Sequence, residues 1–153
     1  MRMDPVDIKI LGILQRDGRL SNLELADMVA LSPSACHRRV KLLEENGYID
    51  GYHATLNAKK LGFDIQALVN LNIGQLSEAQ HNYFTREIGL MPEVVSAYIV
   101  TGETNYVLHV RTRNFEEFSR FVVNRLNKLK GVTKIYSQIV LDELKSLGAR
   151  VPL

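Results

Sequence analysis

Between Ser32 and Lys41 the chain reads SPSACHRRVK. The hydroxyls of Ser32 and Ser34, the imidazole of His37 and the cations Arg38, Arg39 and Lys41 follow closely enough to share the start and outer face of one helix. Such groups hydrogen-bond base edges and neutralise phosphates. On a helix that fits the major groove, side chains near its N-terminus meet bases while flanking cations meet the backbone. Charge on a helix is more often only solvated, so the surrounding elements decide between the two.

Those elements read as a helix-turn-helix. Ser21 and Glu24 make an S-x-x-E capping box, with Leu20 and Leu25 placed to close as a hydrophobic staple. The first hairpin helix ends near Val29. Ser32 caps the second, Pro33 takes its first position, and Gly47 ends it after Asn46. Cys36, Val40 and Leu43 share one face and are predicted to pack inward. Upstream, Asp4-Pro5 opens another helix, with Asp7 in the first turn and Ile8, Leu11 and Leu14 or Gln15 at helical spacing. Three helices are the smallest arrangement that buries both members of the hairpin. Downstream, YIDGYHATLN reads as two short strands turned at Asp50-Gly51, which is the wing of a winged helix.

The composition agrees with an oriented contact. The net charge of the 153 residues is only +2, and residues 1–55 hold seven Lys/Arg against eight Asp/Glu. The region is therefore not basic overall; its cations gather on one helix, unlike those of a general polyanion binder. Hydrophobic residues make up 46% and charged residues 24%, which places the chain among globular proteins. No apolar run reaches the length of a membrane span, and MRMDPVDIK lacks the apolar core of a signal peptide. The one cysteine permits no internal disulfide, and a reducing cytoplasm is expected.

After residues 56–64, read as a linker, the period changes from helical to alternating. Ile65, Ala67, Val69, Leu71 and Ile73 share one face of a strand. Ser77 caps a helix to about Gly89, anchored by Tyr83, Phe84 and Ile88. Strands follow at Val94–Thr101 and Tyr106–Thr112, separated by the turn Gly102-Glu103-Thr104-Asn105. Asn114 caps a helix carrying Phe115, Phe118, Phe121 or Val122, Leu126 and Leu129, closed by Gly131. The last strand is Val132–Leu141, with Ile135, Ile139 and Leu141 on one face. The order β-α-β-β-α-β is the ferredoxin-like split unit. Its helices cover one face of the sheet. The other face carries apolar residues too, and a second copy of the chain is the simplest cover. The fold class is thus α+β: a winged helix-turn-helix over 1–55, a ferredoxin-like unit over 65–145 and a tail at 146–153.

This arrangement resembles the Lrp/AsnC family of bacterial and archaeal transcription regulators over nearly the whole chain. The marks are D-x-x-I-L-x-x-L-Q-x-D-G-R at Asp7–Arg19; Leu31-Ser32, Arg39-Val40, Leu43-Glu44 and Gly47-Tyr48-Ile49 around the second hairpin helix; and P-E-V with T-G-E-x-x-Y-x-L-x-V between Pro92 and Val110. The resemblance implies a regulator that binds double-stranded DNA and dimerises through its sheets. Dimers would assemble further into tetramers or octamers. It also implies a small effector, an amino acid or related metabolite, held between dimers near Gly102, Glu103, Thr104, Asn105 and Tyr106, with Ser137 and Gln138 on the last strand as further candidates. The chemistry suits that loop: a glycine turn offers N–H groups to a carboxylate, and oxygens to an ammonium. The family pattern has Asp before the tyrosine, where this chain has Asn105.

No catalytic, metal or cofactor constellation competes. His37, His53, His81 and His109 lack metal-ligand spacing, and Cys36 reads as a small core residue. P-loop, dinucleotide fingerprint and Ser-His-Asp order are absent. Sirohaem decarboxylase subunits resemble the same family, and His109 and Arg111 on one side of a strand would suit a tetrapyrrole's carboxylates; the basic helix argues against that reading. An effector-independent architectural DNA binder is the remaining alternative.

Overall fold

The computed structural model describes residues 2–145 and 151–153. The chain forms two compact units, Met1–Leu56 with Lys145–Leu153, and Asn57–Leu144. Most of the expected tail lies outside the described residues.

The second unit is a four-stranded antiparallel sheet in the order β2-β3-β1-β4, built from β1 (Ile65–Ile73), β2 (Val94–Ile99), β3 (Tyr106–Thr112) and β4 (Val132–Ile139). Helices α4 (Glu78–Gly89) and α5 (Phe115–Asn124) carry its apolar cover. Ala67, Val69, Leu71, Leu108 and Val110 are fully buried with Phe84, Ile88, Phe118, Phe121 and Leu126. Period-two alternation on β1 and β3 and helical stripes on α4 and α5 meet in this core. Ser77 and Asn114 cap the two helices as their side-chain chemistry predicts.

Several expectations change here. Tyr83 is exposed beneath the Arg86 guanidinium, and Phe115 is exposed at the first position of α5. Helix α5 stops at Asn124 and continues as a 3-10 turn, Leu126–Lys128, which still buries Leu126. Leu141 falls beyond β4 and is exposed. The expected linker is not free chain: Asn57 Oδ1 accepts the Lys60 N–H at 3.0 Å in the 3-10 turn Lys59–Leu61, Gly62 closes that turn at φ +81°, and Arg113 stacks over Phe63 at 5.1 Å. A polar, glycine-containing stretch here folds onto the sheet unit through this cation–π contact and the Asp64 N–H to the Arg113 carbonyl, which composition does not reveal.

The first unit holds α1 (Pro5–Leu14), α2 (Asn22–Val29) and α3 (Pro33–Glu45) around Ile10, Ile13, Leu25, Ala26, Val29, Cys36 and Leu43. The Ser21–Glu24 capping box forms in both directions. Of the expected apolar face of α1, Leu11 and Leu14 pack half-buried against the core, and Ile8 departs. Ile8 is exposed, while Asp7, Ile10 and Ile13 are buried. Asp7 shares the inward face with Ile10 and Ile13, where an ion pair to Arg39 compensates its charge.

The wing also differs. Residues 48–57 carry no strand pairing. A two-residue Asp-Gly hairpin turn needs positive φ at both residues, and Asp50 does not adopt it; among the described non-glycine residues only Ala30 does. Instead Tyr52 anchors the extended segment. Its hydroxyl donates to Glu44 Oε1 at 3.0 Å, and its ring lies so close to Gly18 that a Cβ there would approach Cδ1 to 3.1 Å.

Burial first, and then the bond to Glu44, push the Tyr52 phenol up to about 12. An unfolded tyrosine titrates near about 10. A folded pKa above the unfolded one stabilises fully below about pH 10 and is lost as pH rises towards about 12. We expect the melting temperature of the parent to fall more steeply than that of Tyr52→Phe between about pH 10 and about 12 in thermal melts. Parallel curves would sever Tyr52 from the alkaline loss.

Candidate nucleic-acid interface and effector cleft

Helix α3 starts on Ser32, whose Oγ accepts the Ala35 N–H at 3.3 Å and lies 3.3 Å from Ser34 Oγ. Pro33 at the first position leaves that cap undisturbed. Ser32, Ser34, His37, Arg38 and Lys41 are all exposed, while Cys36 and Leu43 on the opposite side are buried. Burial pushes the Cys36 thiol up, so it stays protonated and packs as an apolar group. Lys41 Nζ sits 3.7 Å from Glu45 Oε1, a solvent-exposed pair four residues apart that a stronger partner displaces at little cost. Among the described residues neither the His37 nor the Arg38 side chain has a hydrogen-bond or ion-pair partner.

Arg39 departs from the sequence expectation. It is half-buried, and its Nη1 lies 2.7 Å from both Asp4 Oδ2 and Asp7 Oδ1 at the start of α1. Counting outward cations along a helix misses this, because the partners lie more than 30 residues upstream and Asp7 reads as a solvent-facing first-turn acid. Hydrogen bonds from Arg39 and from the α1 backbone hold the Asp4 carboxyl below its usual range, the Asp7 N–H being the largest cause.

The effector candidates divide among four places. Asn105 and Tyr106 line a cleft of about 180 Å³ with Ile73, Gly74, Leu76 and His81. The Tyr106 hydroxyl lies 3.0 Å from His81 Nδ1, and its ring packs edge-on against Phe84 at 4.9 Å. Burial pushes the Tyr106 phenol up, so it is present as a hydroxyl. Gly102 and Glu103 are exposed at the loop tip, with Thr104 partly covered. Gly102 takes φ +125°, and a Cβ there would meet nothing within 4 Å, so only the backbone demands glycine. Ser137 lies elsewhere, in a groove of about 410 Å³ beside Val122, Asn127 and Lys134. Gln138 is on the uncovered face of the sheet, where its Oε1 accepts from Asn70. Adjacent residues of one strand point to opposite faces, so Ser137 and Gln138 cannot serve one small ligand within a protomer. His81 was absent from the sequence candidates; it comes from α4, and only the fold brings it to Tyr106.

Asn105 has a different task from that of an acid. Its Oδ1 accepts the Ile73 N–H at 2.9 Å, and its Nδ2 donates to the Ile73 carbonyl at 2.8 Å. The side chain thus copies a strand residue and prolongs β1. An aspartate would keep the first bond and turn the second into a repulsion between two acceptors.

Elsewhere, His109 lies on the uncovered face with Arg111. Burial first, and then Arg111, push its imidazole below the ordinary range. A neutral imidazole with a buried, unpartnered Nε2 is a poor clamp for carboxylates. No group of three or more metal-ligating side chains gathers among the described residues, and no described helix is long and apolar enough to cross a membrane.

Residues 3–50 match the model of the winged helix-turn-helix DNA-binding family, and residues 66–149 match the Lrp/AsnC ligand binding domain. The chain belongs to the Lrp/AsnC family. It is 36% identical over 145 residues to the leucine-responsive regulatory protein of Rhizobium meliloti, covering 95% of this chain and 93% of that one. It is 31% identical to the transcriptional regulator AldR of Mycolicibacterium smegmatis, over 94% and 84% of the two chains. A transcriptional regulator from Neisseria meningitidis, solved as an L-Met complex, superposes with a TM-score of 0.94 at 38% identity over 99% and 97% of the two chains. These Lrp/AsnC relatives are DNA-binding transcription regulators, and the family is not enzymatic. The sirohaem decarboxylase reading ends there.

Because the Asn105 amide completes the end of β1, Asn105→Asp is expected to cost about 1–3 kcal/mol at neutral pH, the penalty of a half-buried acceptor left facing an acceptor. Urea unfolding monitored by circular dichroism measures it. A change under about 0.5 kcal/mol would mean that the Ile73 pairing contributes little.

Proposed function

We propose that this Lrp/AsnC protein reads DNA through Ser32, Ser34, His37, Arg38 and Lys41 and takes a small amino-acid-like effector beside Asn105 and Tyr106. The observation that carries the DNA assignment is the exposed, unpartnered state of His37 and Arg38 on a capped helix whose other face is buried. A cation aimed at solvent with no ion-pair partner needs no rearrangement to meet a phosphate or a guanine edge. Arg39 is left out of the contact set because its guanidinium is already engaged.

The effector reading rests on the cleft. Its volume of about 180 Å³ lies below the usual range for drug-sized ligands, about 300–1,000 Å³. It joins apolar walls, Ile73 and Leu76, to the Tyr106–His81 pair. The Neisseria meningitidis neighbour was solved with L-Met, which makes an α-amino acid the leading class. Assembly follows from the sheet. Leu68, Tyr98 and Tyr136 are exposed on the face that α4 and α5 leave open, and a second copy supplies a cover of matching chemistry. Two-fold pairing then places two α3 helices on half-sites about one helical turn, or a multiple, apart. Assembly of dimers into tetramers or octamers belongs to the same reading.

Arg38→Ala is expected to weaken binding to a preferred duplex by about 1–3 kcal/mol and to relax sequence preference. Lys41→Ala is expected to weaken all sequences alike and lower the salt slope by about one. Gel shifts at several salt concentrations check both, and unchanged binding in both variants would remove α3 as the reading helix. Binding that depends on salt but prefers no sequence would favour the architectural alternative.

For the effector, a thermal-shift screen of the full chain against the standard amino acids is expected to yield at least one that raises the melting temperature. Gly102→Val is expected to abolish that shift while basal DNA binding persists, because the DNA-binding unit folds separately. Sedimentation of the same samples should show no species smaller than a dimer. A Gly102→Val protein that responds like the parent would move the pocket away from this loop.

A further inference from the structure

We propose that Arg39 acts on DNA binding without touching DNA: with Asp4 and Asp7 it forms a clamp that sets the angle of α3 on α1. This rests on the assignment of α3 as the reading helix.

The clamp uses every carboxylate oxygen available. Asp4 Oδ1 accepts the N–H groups of Val6 and Asp7 at 2.9 Å each, and Asp7 Oδ2 accepts the Asp4 N–H at 3.0 Å. The two remaining oxygens, Asp4 Oδ2 and Asp7 Oδ1, both meet Arg39 Nη1 at 2.7 Å. One nitrogen of α3 is thereby joined to both ends of the capping box that starts α1. Asp7 is only 2% exposed. A carboxylate so placed cannot lose its cation without rearrangement, because an unpaired buried charge is strongly disfavoured.

The apolar contacts between these helices, through Ile10, Ile13, Cys36 and Leu43, are non-directional and permit sliding. Short charge-assisted bonds at a single nitrogen do not. Arg39 immediately follows Arg38 and precedes Lys41 by two positions. A tilt of about 10° about the clamp would carry a side-chain tip about 10 Å away through nearly 2 Å, more than a hydrogen bond tolerates. The exposed cations therefore depend for their aim on a buried acid of a different helix.

Sign separates this from a direct contact. The clamp carries two acids and one base. By field alone, neutralising Asp7 makes the unit more positive and favours DNA. By positioning, neutralising Asp7 releases the aim and weakens binding. The probe is a 30-bp duplex selected from a random pool by the unmodified full-length protein, titrated at several salt concentrations below each variant's melting transition. We expect Arg39→Met and Asp7→Asn each to bind at least tenfold more weakly with the parent's salt slope. The double variant should be no weaker than the weaker single one, since both remove one interaction. Should Arg39→Met fail to fold, Arg39→Lys, which keeps a cation within reach of the carboxylates, carries the same test with a smaller loss and the same slope. The proposal is overturned if the slope falls by about one, which marks a lost phosphate contact, if Asp7→Asn binds more tightly, or if folded Arg39 variants bind like the parent. The reading-helix assignment itself fails separately, when Arg38→Ala and Lys41→Ala leave binding unchanged.

Discussion

Strand β1 is the constraint on which the ligand-binding unit depends. It is paired on both sides, with β3 and with β4, and its inward residues Ala67, Val69 and Leu71 have no exposed surface. A strand so placed has one allowed register, because a slip of one residue would send Gln66, Leu68, Asn70 and Asn72 into the core. Its C-terminal end then fixes the cleft. Ile73 is held by Asn105, and Gly74 donates to the Gly131 carbonyl, where φ +92° and a close Leu76 side chain leave no room for a Cβ. The cleft is thus built where two loop ends are tied to one strand end.

The sequence carries the fold clearly wherever a single face is buried. Alternation on β1, the buried pair Phe118 and Phe121 of α5 and the Ser21, Ser32, Ser77 and Asn114 caps all act within one element, and local chemistry is enough to read them. The basic start of α3 was legible for the same reason: Ser32, Ser34, His37, Arg38 and Lys41 are neighbours along one helix, and the structure leaves each of them exposed.

What stayed hidden involves partners distant in sequence. Asp7 has the look of an N-terminal helix acid, and its buried pairing with Arg39 joins positions 32 residues apart. His81 reaches Tyr106 across 25 positions. Asp50-Gly51 has the composition of a hairpin turn, yet the Tyr52 ring finds more to gain against Gly18 and Glu44 than from a two-stranded ladder, which is marginal without a third strand. Gathering Ser137 and Gln138 into one site failed on pleating alone, since strand neighbours face opposite ways.

The loop between β2 and β3 is sealed at its base. Val100 donates to the Asn105 carbonyl, Asn105 donates to the Leu71 carbonyl, and the Asn105 amide closes on Ile73. Inside that seal, residues 101–104 contribute nothing to the buried core. Apart from Gly102, whose φ of +125° asks for glycine, substitutions in this short arc remove no buried contact. The asparagine that closes the loop does not share that freedom. Diversity among descendants of such a chain should gather within the arc and stop at its hinge.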